Sequence, residues 1–208
     1  MLTRSPLVPR HFRLRFRDDN LEKSFRIQYD RTYLAYYRAG FVTGTVIYLV
    51  FGVLDYLLLP QLYLTLWKLR FVAALPLMAV CALFLFRPGS PRHPQAIMTG
   101  AAIVAGWSIV AMIFKMPPDA HHTYVPGLML LIFFVHTFIR LRFWWAVAAG
   151  LSMTAAYEIM LLLTGVEIPA EPILANQFFL LSSNFIGMGA SYAMERDARR
   201  QFRLLRRL

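Results

Sequence analysis

The sequence predicts an all-α polytopic membrane protein: six transmembrane helices, preceded by a cytoplasmic amphipathic helix and followed by a cytoplasmic exit helix. Three observations carry this. Hydrophobic residues make up 58% of the 208 and charged residues 16%, against roughly 45–50% and 25% in a soluble domain. Apolar stretches of about 20 residues, the length that crosses hydrocarbon, follow one another from Tyr37 to Ala193. The 22 Lys and Arg outnumber the 11 Asp and Glu and cluster on alternate connections. The same numbers exclude disorder, a disulfide scaffold and a water-soluble enzyme. Cys81 is the single cysteine and lies inside an apolar stretch, so it has no intrachain partner.

Taken in order, residues 1–35 form a basic arm and an amphipathic helix. Asp19 followed by Glu22 has the capping-box spacing, and Leu21, Phe25, Tyr29 and Tyr33 then recur every four residues on one face. That face suits either anionic headgroups or a collar packed on the C-terminal helix of the same or a partner subunit. Residues 36–193 form the bundle, with spans at 37–59, 67–86, 95–114, 122–139, 142–164 and 173–193. Pro60, the run Arg87-Pro88-Gly89-Ser90-Pro91, Pro117-Pro118 and the pair Pro169/Pro172 punctuate them. Arg140 and Arg142 force a tight turn, because neither sits comfortably in hydrocarbon. Residues 194–208 begin a signalling helix: strong helix formers continue past the sixth span, and Ala198, Phe202, Leu205 and Leu208 are spaced like a coiled-coil seam.

Nineteen of the 22 basic residues fall on the N-terminal segment, the 87–94 and 140–142 connections and the C-terminal segment, leaving Lys68, Arg70 and Lys115 opposite. This asymmetry places both termini in the cytoplasm and explains the charge without a nucleic-acid partner. About 35 polar, Arg-rich residues precede the first apolar run, so no cleavable signal peptide is expected.

Charges inside spans are rare enough to be functional candidates. Asp55, Arg70 and Glu158 are the three, all at similar depth toward the outer face. Asp55 and Arg70 suit a pair between neighbouring helices. Glu158 then lacks a cationic partner and becomes the candidate lining of an outward pocket for a cation or polar ligand, to which Glu167, Glu171 and Asp119 can add oxygens, although a solvated rim is the plainer role for those three. The adjacent His121 and His122 point about 100° apart and lack chelating spacing. His136 reads as a hydrogen-bonding residue between helices, not a haem ligand. Gly40 and Gly44 form a GxxxG, and Ser183, Gly187 and Ser191 repeat small residues every four positions on the sixth span, allowing close helix approach within the chain or across a subunit interface.

The run Phe16-Arg17-Asp18-Asp19-Asn20-Leu21-Glu22-Lys23-Ser24-Phe25-Arg26 leading to Tyr33, Arg38-Ala39-Gly40 opening a span that ends Phe51-Gly52-Val53-Leu54-Asp55, the turn Arg140-Leu141-Arg142-Phe143 and the exit helix from Glu195-Arg196 to Phe202 together resemble a known layout. The chain is similar to the six-helix membrane domains N-terminal to bacterial class III adenylate cyclases, with similar modules on diguanylate cyclases. The resemblance implies a homodimeric inner-membrane anchor and receptor for an outer-face ligand or cation, in contact with lipid and with an attached C-terminal cyclase domain. No catalytic domain lies within these residues, so no catalytic residue and no cofactor is expected. No nucleophile with its base, metal motif or phosphate loop is present either. A small transporter or channel is the alternative, weakened by the lack of paired interrupted helices and by the continuing exit helix.

Overall fold

A computed structural model describes residues 14–89, 91–117, 120–165 and 170–206, without the side chains of 122, 123 and 170. Among the described residues all regular structure is helical. Helix α1 covers Asp19–Thr32 and presents Leu21, Glu22, Phe25 and Tyr29 inward. Its cap differs from the expected box. Asp18, one residue earlier, accepts from the amides of Asn20 and Leu21, and the Glu22 carboxylate accepts from the Phe16 amide at 3.0 Å. Tyr33 then breaks the helix, and α2 runs Leu34–Leu58.

The second expected span is a rod in three parts: α3 (Tyr63–Trp67), a π-helical segment (Lys68–Ala74) and α4 (Leu75–Leu85). Pro76 stands at the start of α4. It has no N–H to donate and its ring crowds the carbonyl four residues back, which favours a wider turn just upstream. Helices α5 (Pro94–Ile113), α6 (His121–Thr137) and α7 (Phe143–Thr164) follow. Gly165 ends α7 in the left-handed region at φ 55°, where the missing Cβ removes the steric penalty. Helix α8 runs Ala170–Leu205 without interruption; its 36 residues span about 54 Å.

Each expected span therefore coincides with a helix or, for the second, with the rod. Four are long and apolar enough to cross a membrane: α2, Tyr63–Leu85, α5 and α7. Helix α6 is apolar but shorter over Tyr124–Thr137. Helix α8 is not among the four, since Asn176, Gln177, Ser183, Asn184 and Ser191 interrupt its apolar residues, most of them buried. Its polarity serves neighbouring helices, the opposite of a lipid-facing sequence.

Helix α5 is the centre: half of its apolar window is buried, against about a fifth for α2 and for the Tyr63–Leu85 rod. The main core joins Tyr37, Leu66, Met112, Leu128, Ile132, Met153 and Tyr157. Leu162, Leu163 and Phe185 are exposed on the periphery, as lipid-facing positions are. At one end Phe16, Leu21, Phe25, Tyr29, Ala198 and Phe202 form a separate cluster that fastens α1 to the C-terminal part of α8. That end is called the collar end below, and the opposite one the distal end.

Candidate functional site

Polar side chains are gathered at three levels along the bundle. Distally, Asp55 from α2 and Arg70 from the π-helical segment pair in a two-point geometry. Arg70 Nε donates to Asp55 Oδ2 at 2.9 Å and Nη2 to Oδ1 at 3.0 Å. Nη1 donates to the Tyr48 carbonyl at 2.8 Å, and the guanidinium lies 4.5 Å from the centre of the Tyr48 ring. The Tyr124 hydroxyl donates to Asp55. Both ions are almost wholly buried, where bidentate pairing and extra hydrogen bonds must offset desolvation. The π turn matters because it swings Arg70 inward. Gly52 lies opposite, where an added Cβ would stand 3.4 Å from Arg70 Cδ. The expected pairing is formed, and Tyr124 and Tyr48 complete it.

Glu158 has a different partner from a cation: it accepts from Gln177 Nε2 on α8 at 3.0 Å. Glu171 is exposed, while Glu167 and Asp119 lie outside the described residues. Among the described residues no three His, Cys, Asp or Glu converge as metal ligands. Asp55 and Arg70 therefore sit in a different cluster from Glu158.

Near the collar end of α6, His136 is clamped between two glycines. A Cβ on Gly187 of α8 would stand 2.6 Å from its ring, and one on Gly150 of α7 would stand 2.9 Å from its Nε2 and 2.4 Å from Asn184 Oδ1. His136 Nδ1 is 3.2 Å from Ser191 Oγ. Asn184 Nδ2 donates to Thr154 Oγ1 at 2.8 Å, and Ser183 donates to the Phe179 carbonyl. The small-residue face Ser183/Gly187/Ser191 is thus filled from within the chain. Of the two contacts that this spacing allows, the one within the chain, between α6 and α8, is formed.

At the collar end α8 meets an ion cluster. Arg199 Nη1 donates to Glu22 Oε2 at 2.7 Å and Nη2 to Oε1 at 3.2 Å, while Nε and Nη2 donate to Glu195 Oε1 at 2.9 and 2.7 Å. Its guanidinium lies 4.2 Å from the Phe25 ring centre and 5.1 Å from that of Phe16. Burial would raise the Glu22 carboxyl, but hydrogen bonds from Arg199, the Phe16 amide and Arg26 outweigh it and hold the group at about 2. Glu195 also accepts from the Phe143 amide at 2.7 Å, placing a carboxylate on the positive N-terminus of α7. The 140–142 turn is tied down further. Tyr29 donates to the Arg140 carbonyl at 3.0 Å, and the Arg142 amide donates to Gln95, whose Nε2 reaches Asp30 at 2.9 Å and Tyr37 at 2.6 Å. Arg140 takes the left-handed φ of 62°, a strained setting for a residue with a Cβ.

The exit seam is therefore partly occupied. Ala198 and Phe202 pack on α1, Phe202 within 5.4 Å of Phe25 ring to ring, whereas Leu205 is exposed. A coiled coil through Ala198 and Phe202 would displace α1, so only Leu205 of the three described seam positions is open to a partner. Sequence reasoning missed Arg199, Glu195, Gln95 and Asn184. The signal for Arg199 was present, since it lies one residue from Ala198 on a helix face that also carries Glu195 four positions earlier.

Residues 53–208, from the distal part of α2 onward, match the model of MASE8, a family of membrane-associated sensor domains. No curated protein matches the chain.

Proposed function

Because the chain belongs to the MASE8 family, we propose that it is a six-span membrane sensor that sets the conformation of an exit helix and, through it, a cytoplasmic nucleotide cyclase domain, adenylate in preference to diguanylate. The spans are α2, the Tyr63–Leu85 rod, α5, α6, α7 and α8, with both termini cytoplasmic on the distribution of basic residues. One observation carries the reading: α8 is a single helix from Ala170 to Leu205 that touches polar partners at every level, Glu158 through Gln177, His136 through Ser191 and Glu22 through Arg199. A passive anchor has no need of a rod whose angle is fixed at three depths.

Homodimerisation belongs to the same proposal, and the packing of α8 redirects it. Leu174, Phe178, Leu181 and Phe185 are spaced 4, 3 and 4 and are all exposed, the pattern of a helix face that meets a second helix or lipid. We assign the subunit contact to this outward stripe instead of the Ser183/Gly187/Ser191 face.

The experiment is a chimera of residues 1–206 with a soluble adenylate cyclase catalytic domain, carrying one to seven alanines inserted after Arg206. Coupling through a helix predicts that basal activity rises and falls with a period near 3.6 residues. Activity independent of insertion length would reduce the module to an anchor.

A further inference from the structure

A groove of about 180 Å³ runs along the bundle between α2 and α6 with α5 as its floor. It extends from Gly40 and Ile139 near the collar to Tyr124 and Arg70 distally. On α2 it covers Gly40 to Phe51, eleven steps of about 1.5 Å, or roughly 16 Å. Small residues make it narrow and deep: Ala101, Ala102 and Ala105 on the floor are buried, with Gly44 and Gly127 in the walls. Its rim residues Ile47 and Leu130 are exposed, so it opens sideways onto the lipid-facing surface. The lining is mostly apolar, and the hydroxyls of Tyr48 and Tyr124 are taken by Ser108 and Asp55. Thr45 Oγ1 is buried and has no hydrogen-bond partner among the described residues, and Arg70 reaches the distal end.

We propose that this groove binds one straight-chain amphiphile that enters from the bilayer, with an alkyl tail of roughly a dozen carbons and a small uncharged polar head at the distal end. Shape selects a linear chain, because a slot this long and this small in volume does not admit a fused-ring body. The head is uncharged because Arg70 is already neutralised by Asp55 at 2.9 Å, and an added anion would face that carboxylate as well as the guanidinium. Arg70 has five N–H groups and commits three to Asp55 and Tyr48, which leaves donors for a hydroxyl or carbonyl. Lipid tails are as apolar as the groove, so selectivity rests on chain length and head, not on apolarity.

The inference rests on the sensor reading for its consequence. Phe134 and Ile139 line the groove; two residues from Phe134, His136 contacts α8, and next to Ile139 the Arg140 carbonyl is held by α1. An occupant that shifts α6 therefore acts on both the exit helix and the collar.

The test uses the full chain in lipid nanodiscs with a diazirine-bearing 1-dodecanol, the cross-links being mapped by mass spectrometry. Labelling should concentrate within 40–51 and 124–139, fall at least tenfold with excess 1-dodecanol, and fall less with dodecanoate or with the 8- and 18-carbon alcohols. Gly127→Leu should abolish it while thermal stability is retained; if that variant unfolds, Ala102→Leu serves the same purpose. Labelling spread over the lipid face, including Leu162 and Leu163, and insensitive to competitor overturns the groove, and dodecanoate as the best competitor overturns the uncharged head. Both readouts are binding alone, so specific labelling with no change in the cyclase chimera would overturn the sensor reading and leave the groove assignment standing.

Discussion

Among the described residues two arginines are held almost wholly out of solvent, Arg70 at 1% and Arg199 at 3% exposure, and each is matched by carboxylate. Removing one member of such a pair strands the other charge, at a cost of about 3–5 kcal/mol. Asp55→Ala and Arg70→Leu should each lower the melting temperature strongly, and the double variant should lose much less than the sum of the two. Exchanging the residues should recover only part of the loss, since Tyr48 and Tyr124 are placed for the native polarity. Additive losses would mean the pair contributes no coupling. At the collar, Glu22 titrates near 2 in the folded protein against 4.5 for an ordinary glutamate. A folded-state pKa below the unfolded one stabilises fully above about 4.5, and that contribution disappears as pH falls toward 2. The melting temperature should therefore drop between pH 5 and pH 3. Glu22→Gln should melt lower at pH 7 and lack this part of the pH dependence.

At the scale of helices, α8 shows what the sequence could and could not reveal. Its length and continuity were legible, because nothing between Ile173 and Leu205 breaks a helix. Which neighbour each face meets was not. A stripe of Ser183, Gly187 and Ser191 reads alike whether the close partner is a second subunit or His136 of the same chain, because spacing encodes proximity without identity. The Asp55–Arg70 pair was legible because two opposite charges at one depth have few alternatives. The π turn that aims Arg70 was not, as it depends on Pro76 acting on residues upstream. Glu22 was read as a cap by its spacing, yet it is used 177 residues away by Arg199. The α6–α8 contact makes its own prediction. Gly187→Ala should destabilise by about 1–3 kcal/mol through overpacking against His136, and by clearly less in a His136→Ala background. Equal losses in both backgrounds, measured by thermal melts in detergent, would show that the ring does not occupy the cradle.

For the whole molecule, the nineteen-to-three division of basic residues predicts that reporter fusions at 30, 90 and 206 all read cytoplasmic; a periplasmic signal at any of them would break the six-span arrangement. That arrangement gives the collar its meaning, because α1, the 140–142 turn and the end of α8 then meet on one side of the membrane, between the bundle and any attached domain. The central claim is that this junction sets the position of the exit helix, and the most direct test is a distance. Spin labels at the exposed positions Ile27 on α1 and Leu204 on α8, in a Cys81→Ser background, should give one narrow distribution by pulsed dipolar spectroscopy. Arg199→Gln should broaden it while the bundle still melts cooperatively. A broad distribution in the parent protein, or one that Arg199→Gln leaves unchanged, would contradict the claim.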